Sequence, residues 1–425
     1  MARVFETDVV LNAQRELRLA DADSSAYVGF KAPATITSNR VWTLPAADGT
    51  NGQVLSTDGS GVLSWATASG GGGLTHFVES ESTASPNATV PVDALTATDA
   101  GFANIDAAIV AKGTGATLAQ VPNASTTGGN KRGTYATDLQ KQRSGATQVA
   151  SGNNSVVCGG SNNTASSAHS AVAGGQTNAA SNTFTFIGSG SSNTASGSYS
   201  IIGGGASNTA SATYSGIGSG LSNTSSQNYG YICGGQSNTV SGALAFIGGG
   251  ANNTASGEYS FIGGGRYGTT RAITGYHVFP ACNIPFGGVL GAAQSAILLL
   301  AVTTTNATPT VATSDNVGAG ATNQIVLPNN SAYSFSGQVI AGVTGAGNTA
   351  RWTIAGAIKR GASAATTVMV GTPTVTMTHN DAGASAWTVA VTANTTLGCI
   401  KVEVTGAAST TIRWVCKIET TEMTF

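Results

Sequence analysis

The chain has 425 residues, 18 Lys and Arg against 19 Asp and Glu, a formal net charge of −1 and only 9% charged residues. An ordinary soluble domain carries roughly 25%, and a near-neutral chain has no field to recruit nucleic acid or an anionic membrane surface. With 58 Gly and 41% hydrophobic residues the chain is neither disordered nor collagen-like, and its β-branched and aromatic punctuation points to an all-β architecture.

The N-terminal stretch "MARVFETDVVLNAQRELRLAD" carries charges throughout and has no apolar h-region. It is therefore not expected to act as a secretory signal, and the chain is expected to be made in a cytoplasm. The longest apolar run, Ala296 to Val302, is too short to span a bilayer as a helix, so no membrane insertion is expected. Residues 1–68 read as a strand-rich N-terminal region. Asp58-Gly59 and Ser60-Gly61 sit between alternating runs there, as a small hairpin requires. "SGGGG" (69–73) reads as a flexible linker. Residues 74–142 read as a small β domain whose basic lead-in, "NKRGTYATDLQKQRSGATQVA", caps the repeats beyond it.

From Ser151 to Thr270 the chain divides into eight lines of fifteen residues without insertion. The first column is Ser throughout. The seventh is Val157, Val172, Ile187, Ile202, Ile217, Ile232, Ile247 and Ile262, and the tenth is always Gly. The thirteenth is Asn from Asn163 to Asn253, with Gly268 in the last line. One coil of a parallel β-solenoid per line explains this pattern, with equivalent side chains stacked about 4.8 Å apart. The shaft is assigned to 143–270. Its seventh column is the expected single-file core, its Gly column the corner, and its Asn column a ladder that satisfies turn backbone.

So small a core cannot offset the ordering entropy of so much Gly and Ser. The fourth and sixth columns carry Phe184, Phe186, Tyr199, Ile201, Tyr229, Tyr231, Phe246, Tyr259 and Phe261, which are expected to face opposite the seventh column on a strand. An apolar stripe of this length marks a partner surface, and identical chains around a threefold axis would bury it as a homotrimer. A neck (271–293) leads into 294–425, where runs of period two predict about nine strands in a β-sandwich or jelly roll.

These residues also carry a family resemblance. "GQVLSTDGSGVLSWA", "GGNKRGTYATDLQKQRSGATQVASG", the "NTASG-x-YS" coils and the end "TIRWVCKIETTEMTF" resemble bacteriophage tail fibres and receptor-binding proteins. The coils are also similar to the head repeats of trimeric autotransporter adhesins, a left-handed parallel β-roll, with one residue fewer between Ser and Gly in "YSIIGGG". The resemblance implies a homotrimeric virion fibre made in the host cytoplasm. Its N-terminus would dock to a baseplate or tail protein, and its C-terminal tip would bind a host surface polysaccharide, lipopolysaccharide or protein.

Chemistry is sparse. Glycoside cleavage by the usual route needs two carboxylates about 5 to 9.5 Å apart, yet Glu258 is the only acid in the eight lines. The chain is therefore expected not to be an enzyme, with a tailspike depolymerase bearing an inter-subunit site as the alternative. No metal-ligand spacing or phosphate loop occurs, so no metal or cofactor is expected. Cys158, Cys233, Cys282, Cys399 and Cys416 are expected as buried free thiols. Trp352, Trp387 and Trp414 are assigned to the core of the tip. Polar turns make Asn329, Asn330, Ser331, Asn380 and Asp381 the candidate receptor-binding residues. Two further readings are weaker. A cellular trimeric adhesin would need an export signal and an anchor barrel, and an ice-binding solenoid would need an unbroken Thr column, which Ala179 interrupts.

Overall fold

The computed structural model describes residues 15–20, 22, 25–31, 35–38, 41–67, 77–82, 92–97, 111, 113–281, 289–345 and 347–425. The linker at 69–73 and Cys282 lie outside the described residues. Two compact units divide the chain, Met1–Ala108 and Ile109–Phe425, so residues 74–142 belong partly to each.

The first unit contains antiparallel strand pairs: Glu16–Ala20 with Tyr27–Lys31, Gln53–Thr57 with Leu63–Thr67, and Phe77–Ser82 with Val92–Ala97. The second of these is the hairpin that the turn residues require. Asp58 accepts the Ser60 and Val62 N–H groups at 2.8 and 3.2 Å, and these bonds, the Ser60 side chain's first, hold its carboxyl below the ordinary value.

The second unit is all-β and begins with the solenoid. Two-residue strands of columns six and seven, such as Phe186–Ile187 and Ile201–Ile202, pair in parallel, each with its counterpart fifteen residues on. Columns fourteen and fifteen form a second parallel ladder, such as Thr209–Ala210 with Thr224–Ser225. Single bridges in column eleven, from Ser161↔Gln176 to Ala251↔Arg266, form a third. Between these faces the chain turns through left-handed positions. The column-ten glycines do so, and so do non-glycine residues in columns four and twelve, such as Tyr199 (φ 59°) and Ser207 (φ 56°). Glycine is required in column ten for a second reason. A Cβ on Gly205 (φ 89°) would lie 2.1 Å from the Gly220 carbonyl oxygen of the next coil.

Three features differ from the sequence expectation. The core is not single-file: the seventh column faces a buried fifteenth column of small residues, Ala165, Ala180, Ala195, Ala210, Ser225, Val240 and Ala255. The fourth column is not on a strand but at the left-handed turn before it. The columns-six-and-seven ladder also runs past the repeats, back to Thr137–Asp138 and Thr117–Leu118 and forward to His277–Pro280, so the last rung lies inside the neck.

Near its first end the solenoid core carries buried charge. Asp138 takes the core position below Val157 and is fully buried between Arg132 (2.8 Å) and Arg143 (3.1 Å). Gln140 starts the amide ladder, accepting the Asn163 N–H at 2.9 Å and donating to the Asn163 carbonyl at 2.8 Å.

The tip is a two-sheet sandwich. His277–Pro280 pairs antiparallel with Ala293–Thr304, which pairs with Ile412–Thr424, then Ser331–Val343, Thr349–Arg360 and Thr374–Asn380. The second sheet sets Thr310–Val311, Ile325–Val326 and Thr388–Asn394 against Cys399–Thr405. Strict alternation along Ile412–Thr424 sends Ile412, Trp414, Cys416 and Ile418 into the core. Trp414 packs there at a tilt against Trp352 and Trp387 and donates its indole N–H to Thr304 Oγ1 at 2.9 Å.

Cys399 and Cys416 are buried, which pushes both thiols up to about 12. Cys158 and Cys233 are exposed, contrary to expectation. They occupy column eight, just past the inward-facing seventh, where the chain leaves the strand.

Candidate functional site

The site assigned from sequence separates into two places. Asn329, Asn330 and Ser331 lie at the shaft end of the sandwich, where Ser331 pairs with Thr424 and Arg360. Ser331 is fully buried and donates to the Pro328 carbonyl at 2.7 Å. Asn330, at φ 55°, donates its N–H to the Gly361 carbonyl and accepts the N–H of Phe425. These residues brace the end of the chain. Asn380 and Asp381 lie at the opposite end of the same sheet. Asn380 pairs with Ala350, which pairs with Ala341. Ten residues of strand separate Ser331 from Ala341, about 33 Å.

At that far end a cleft of about 530 Å³ is lined by Thr349, Ala350, Arg351, Thr378, His379, Asn380 and Asp381. Its shape follows from an irregularity in strand pairing. Arg351 pairs with His379 but Trp352 pairs with Met377, so Thr378 is the extra residue of a bulge. The bulge lets Trp352 stay in the core while Thr378, His379, Asn380 and Arg351 line the cleft. Asp381 opens a short 3-10 turn, Ala382–Ala384, without capping it. Its carboxylate instead accepts the Thr349 N–H at 2.7 Å, tying the two walls together. Asn380 donates to the Asp381 carbonyl at 3.0 Å, and Thr378 to the Arg351 carbonyl at 3.2 Å. The cleft thus offers an amide, a hydroxyl, an imidazole and a guanidinium in one open groove, the chemistry of polar ligand binding. Sequence reasoning found Asn380 and Asp381 but missed Thr349, Arg351 and Thr378. The period-two pattern of "TARWTIAGAIKR" already turned Arg351 away from the core.

The shaft presents two aromatic stacks. His169, Phe184, Tyr199, Tyr214 and Tyr229 stack with ring centroids 4.8–5.0 Å apart. Tyr231, Phe246 and Phe261 form a second stack, with His277 tilted against its end. Phe184, Phe186, Tyr199, Ile201, Tyr229, Tyr231 and Tyr259 are exposed, whereas Phe246 and Phe261 are half-buried. The seventh-column residues Val157, Val172, Ile187, Ile202, Ile217, Ile232, Ile247 and Ile262 are fully buried.

A polar cluster joins shaft and tip. Glu422 is buried and takes an ion pair from Arg271 and hydrogen bonds from the Tyr276 hydroxyl, Gln294 (2.7 Å) and Thr420 (2.8 Å). Burial, then the Glu422 charge, pushes the Tyr276 and Tyr333 phenols well above their ordinary value. Among the described residues no group of acids, histidines and cysteines could hold a metal, and no helix is long and apolar enough to cross a membrane.

No protein-family profile matches the chain, and no curated protein matches it. Among solved structures, it is similar to the tailspike protein gp49 of Acinetobacter baumannii bacteriophage Fri1, a capsular polysaccharide depolymerase. Identity is 8%, over 81% of this chain and 74% of that one, with a TM-score of 0.19. It is also similar to the tailspike protein of Acinetobacter phage vB_ApiP_P1, at 7% identity over 73% of this chain and 80% of that one, with a TM-score of 0.15. Superpositions this loose transfer no activity or substrate to this chain. They do correct one expectation, that the chain is not an enzyme, because a neighbour described as a depolymerase stands against it. That exclusion counted carboxylates within a single chain, so it never reached sites formed between chains, and it is withdrawn.

Proposed function

We propose that the chain is a phage tail protein that engages carbohydrate on the host cell surface through the cleft at the free end of its tip. The observation that carries this reading is the position of the cleft. The bulge at Thr378 places polar groups at the end of the sandwich remote from the last solenoid rung. A rod that ends in a polar groove is suited to reaching a surface and holding it.

The rest of the molecule fits the same task. The N-terminal unit exposes Val28, Phe30, Trp42 and Leu44, apolar groups suited to docking on a tail or baseplate protein. The two aromatic stacks run along the shaft, and three copies of the chain would cover them. The test is retention of the purified chain on bacterial capsule and lipopolysaccharide, with release of reducing ends followed in the same samples. Binding that falls about tenfold in Asn380→Ala supports the cleft as the site. Binding that Asn380→Ala and His379→Ala both leave unchanged overturns it. Release of reducing ends adds cleavage to binding.

A further inference from the structure

Among the described cations in and beside the tip some have partners, and the Lys359, Arg351 and Arg413 side chains have none. Arg271 pairs with Glu422, Lys401 with Glu403 (3.2 Å), Lys417 with Glu419 (2.5 Å), and Arg360 donates to the Leu327 carbonyl at 2.6 Å. Arg351 does not share this pattern. Among the described residues its guanidinium makes no ion pair and no hydrogen bond, although the side chain is half-buried and lines the cleft.

Its cross-strand partner is His379, also in the cleft, so two basic groups face each other where an acid would ordinarily stabilise the pair. The one acid in the lining, Asp381, has an oxygen committed to the Thr349 N–H. A second cation without an ion pair stands near the rim. Arg413 is exposed and pairs with Gly342, which pairs with Thr349, so no side chain intervenes along that row.

From this arrangement we infer that the cleft takes a carboxylate-bearing sugar, its carboxylate held by Arg351 and its hydroxyls by Asn380 and Thr378. The inference rests on the carbohydrate reading above and narrows it to acidic glycans. A guanidinium presents paired N–H donors in a fork that matches a planar carboxylate, and the bond is charge-assisted. The ligand would supply the negative charge that neither strand provides. The bulge keeps Arg351 and His379 on one side of the sheet, so a single anionic group could lie against both.

The experiment uses the full chain and a panel of bacterial capsular polysaccharides, each acidic member beside its carboxyl-reduced form. Binding is expected to concentrate on the acidic members and to fall about ten- to hundredfold on carboxyl reduction. Arg351→Ala should lose the same factor on native glycan and nothing further on the reduced form, since both changes remove one contact. Lys359→Ala, which deletes a charge at the shaft end, should leave affinity unchanged. Thermal unfolding of each variant checks that it is folded. Hits confined to neutral glycans, or to phosphate-bearing glycans without carboxyl groups, overturn the acidic class and leave the carbohydrate reading standing. Additive losses from Arg351→Ala and carboxyl reduction also overturn it. No binding to any glycan overturns both readings.

Discussion

Asn208 shows what a single column of the shaft does. Its side-chain amide donates to the Gly204 and Gly220 carbonyls at 3.0 and 2.9 Å and to Asn193 Oδ1 at 3.1 Å, while its own Oδ1 accepts the Asn223 N–H at 3.0 Å. All of this is buried, so the ladder satisfies corner backbone that no water reaches. Asn208→Ala should therefore cost about 2–4 kcal/mol, far more than an exposed Asn, because several buried groups lose their partner at once. Urea unfolding measures it, and a loss below about 1 kcal/mol would mean water replaces the amide. The Asn and Gly columns were legible in the sequence because stacking makes each column a chemical ladder that tolerates one residue type. The left-handed turn at column four was not legible. Its occupants, including His169, Phe184 and Leu244, carry no residue-type signature of positive φ.

At the scale of the element, the shaft strands are two residues long, too short to hold without their neighbours above and below. Each coil contributes one large buried side chain, such as Ile202, facing a small one, such as Ala210. Outside that core the aromatic stacks leave Phe184, Tyr199, Tyr214 and Tyr229 exposed, an apolar stripe that a partner would cover. If copies of this chain meet on those stacks, Phe246→Asp should lower the mass found by light scattering from three chains toward one. Phe246 sits mid-stack, 6.3 Å from the Tyr231 ring and 5.6 Å from that of Phe261. An unchanged mass, with the far-UV spectrum of the shaft intact, would place the copies on another face. The tip shows the converse limit of reading elements from sequence. Period-two alternation foretold its strands and its tryptophan core, but the bulge that builds the cleft is a mismatch between two strands, invisible in either strand alone.

At the scale of the second unit, one hydrogen-bonded ladder passes from shaft to tip. Phe261–Ile262 pairs with His277–Pro280, and that rung pairs with Ala293–Thr304, the first long strand of the sandwich. Over this seam Glu422 binds Arg271 and Tyr276 from the shaft end and Gln294 and Thr420 from the tip. A buried charge held this way locks two elements at one angle, and removing one member leaves the other uncompensated, at about 3–5 kcal/mol. Glu422→Ala should therefore divide one cooperative unfolding transition into two. Tryptophan fluorescence, with Trp352, Trp387 and Trp414 in the tip core, would then lose coincidence with the far-UV signal of the shaft. The same cluster sets an alkaline limit. Tyr276 and Tyr333 have folded pKa values raised well above 10 by burial and by the Glu422 charge. The folded state thus holds phenolic protons that the unfolded chain releases near pH 10. Their contribution to stability is complete below that pH and is lost as pH rises through the folded values. The denaturation midpoint should stay level from pH 7 to 9 and fall above 10, less steeply in Tyr333→Phe. A midpoint that falls equally in both proteins would separate the alkaline limit from this junction, leaving the lock to the Glu422 pair alone.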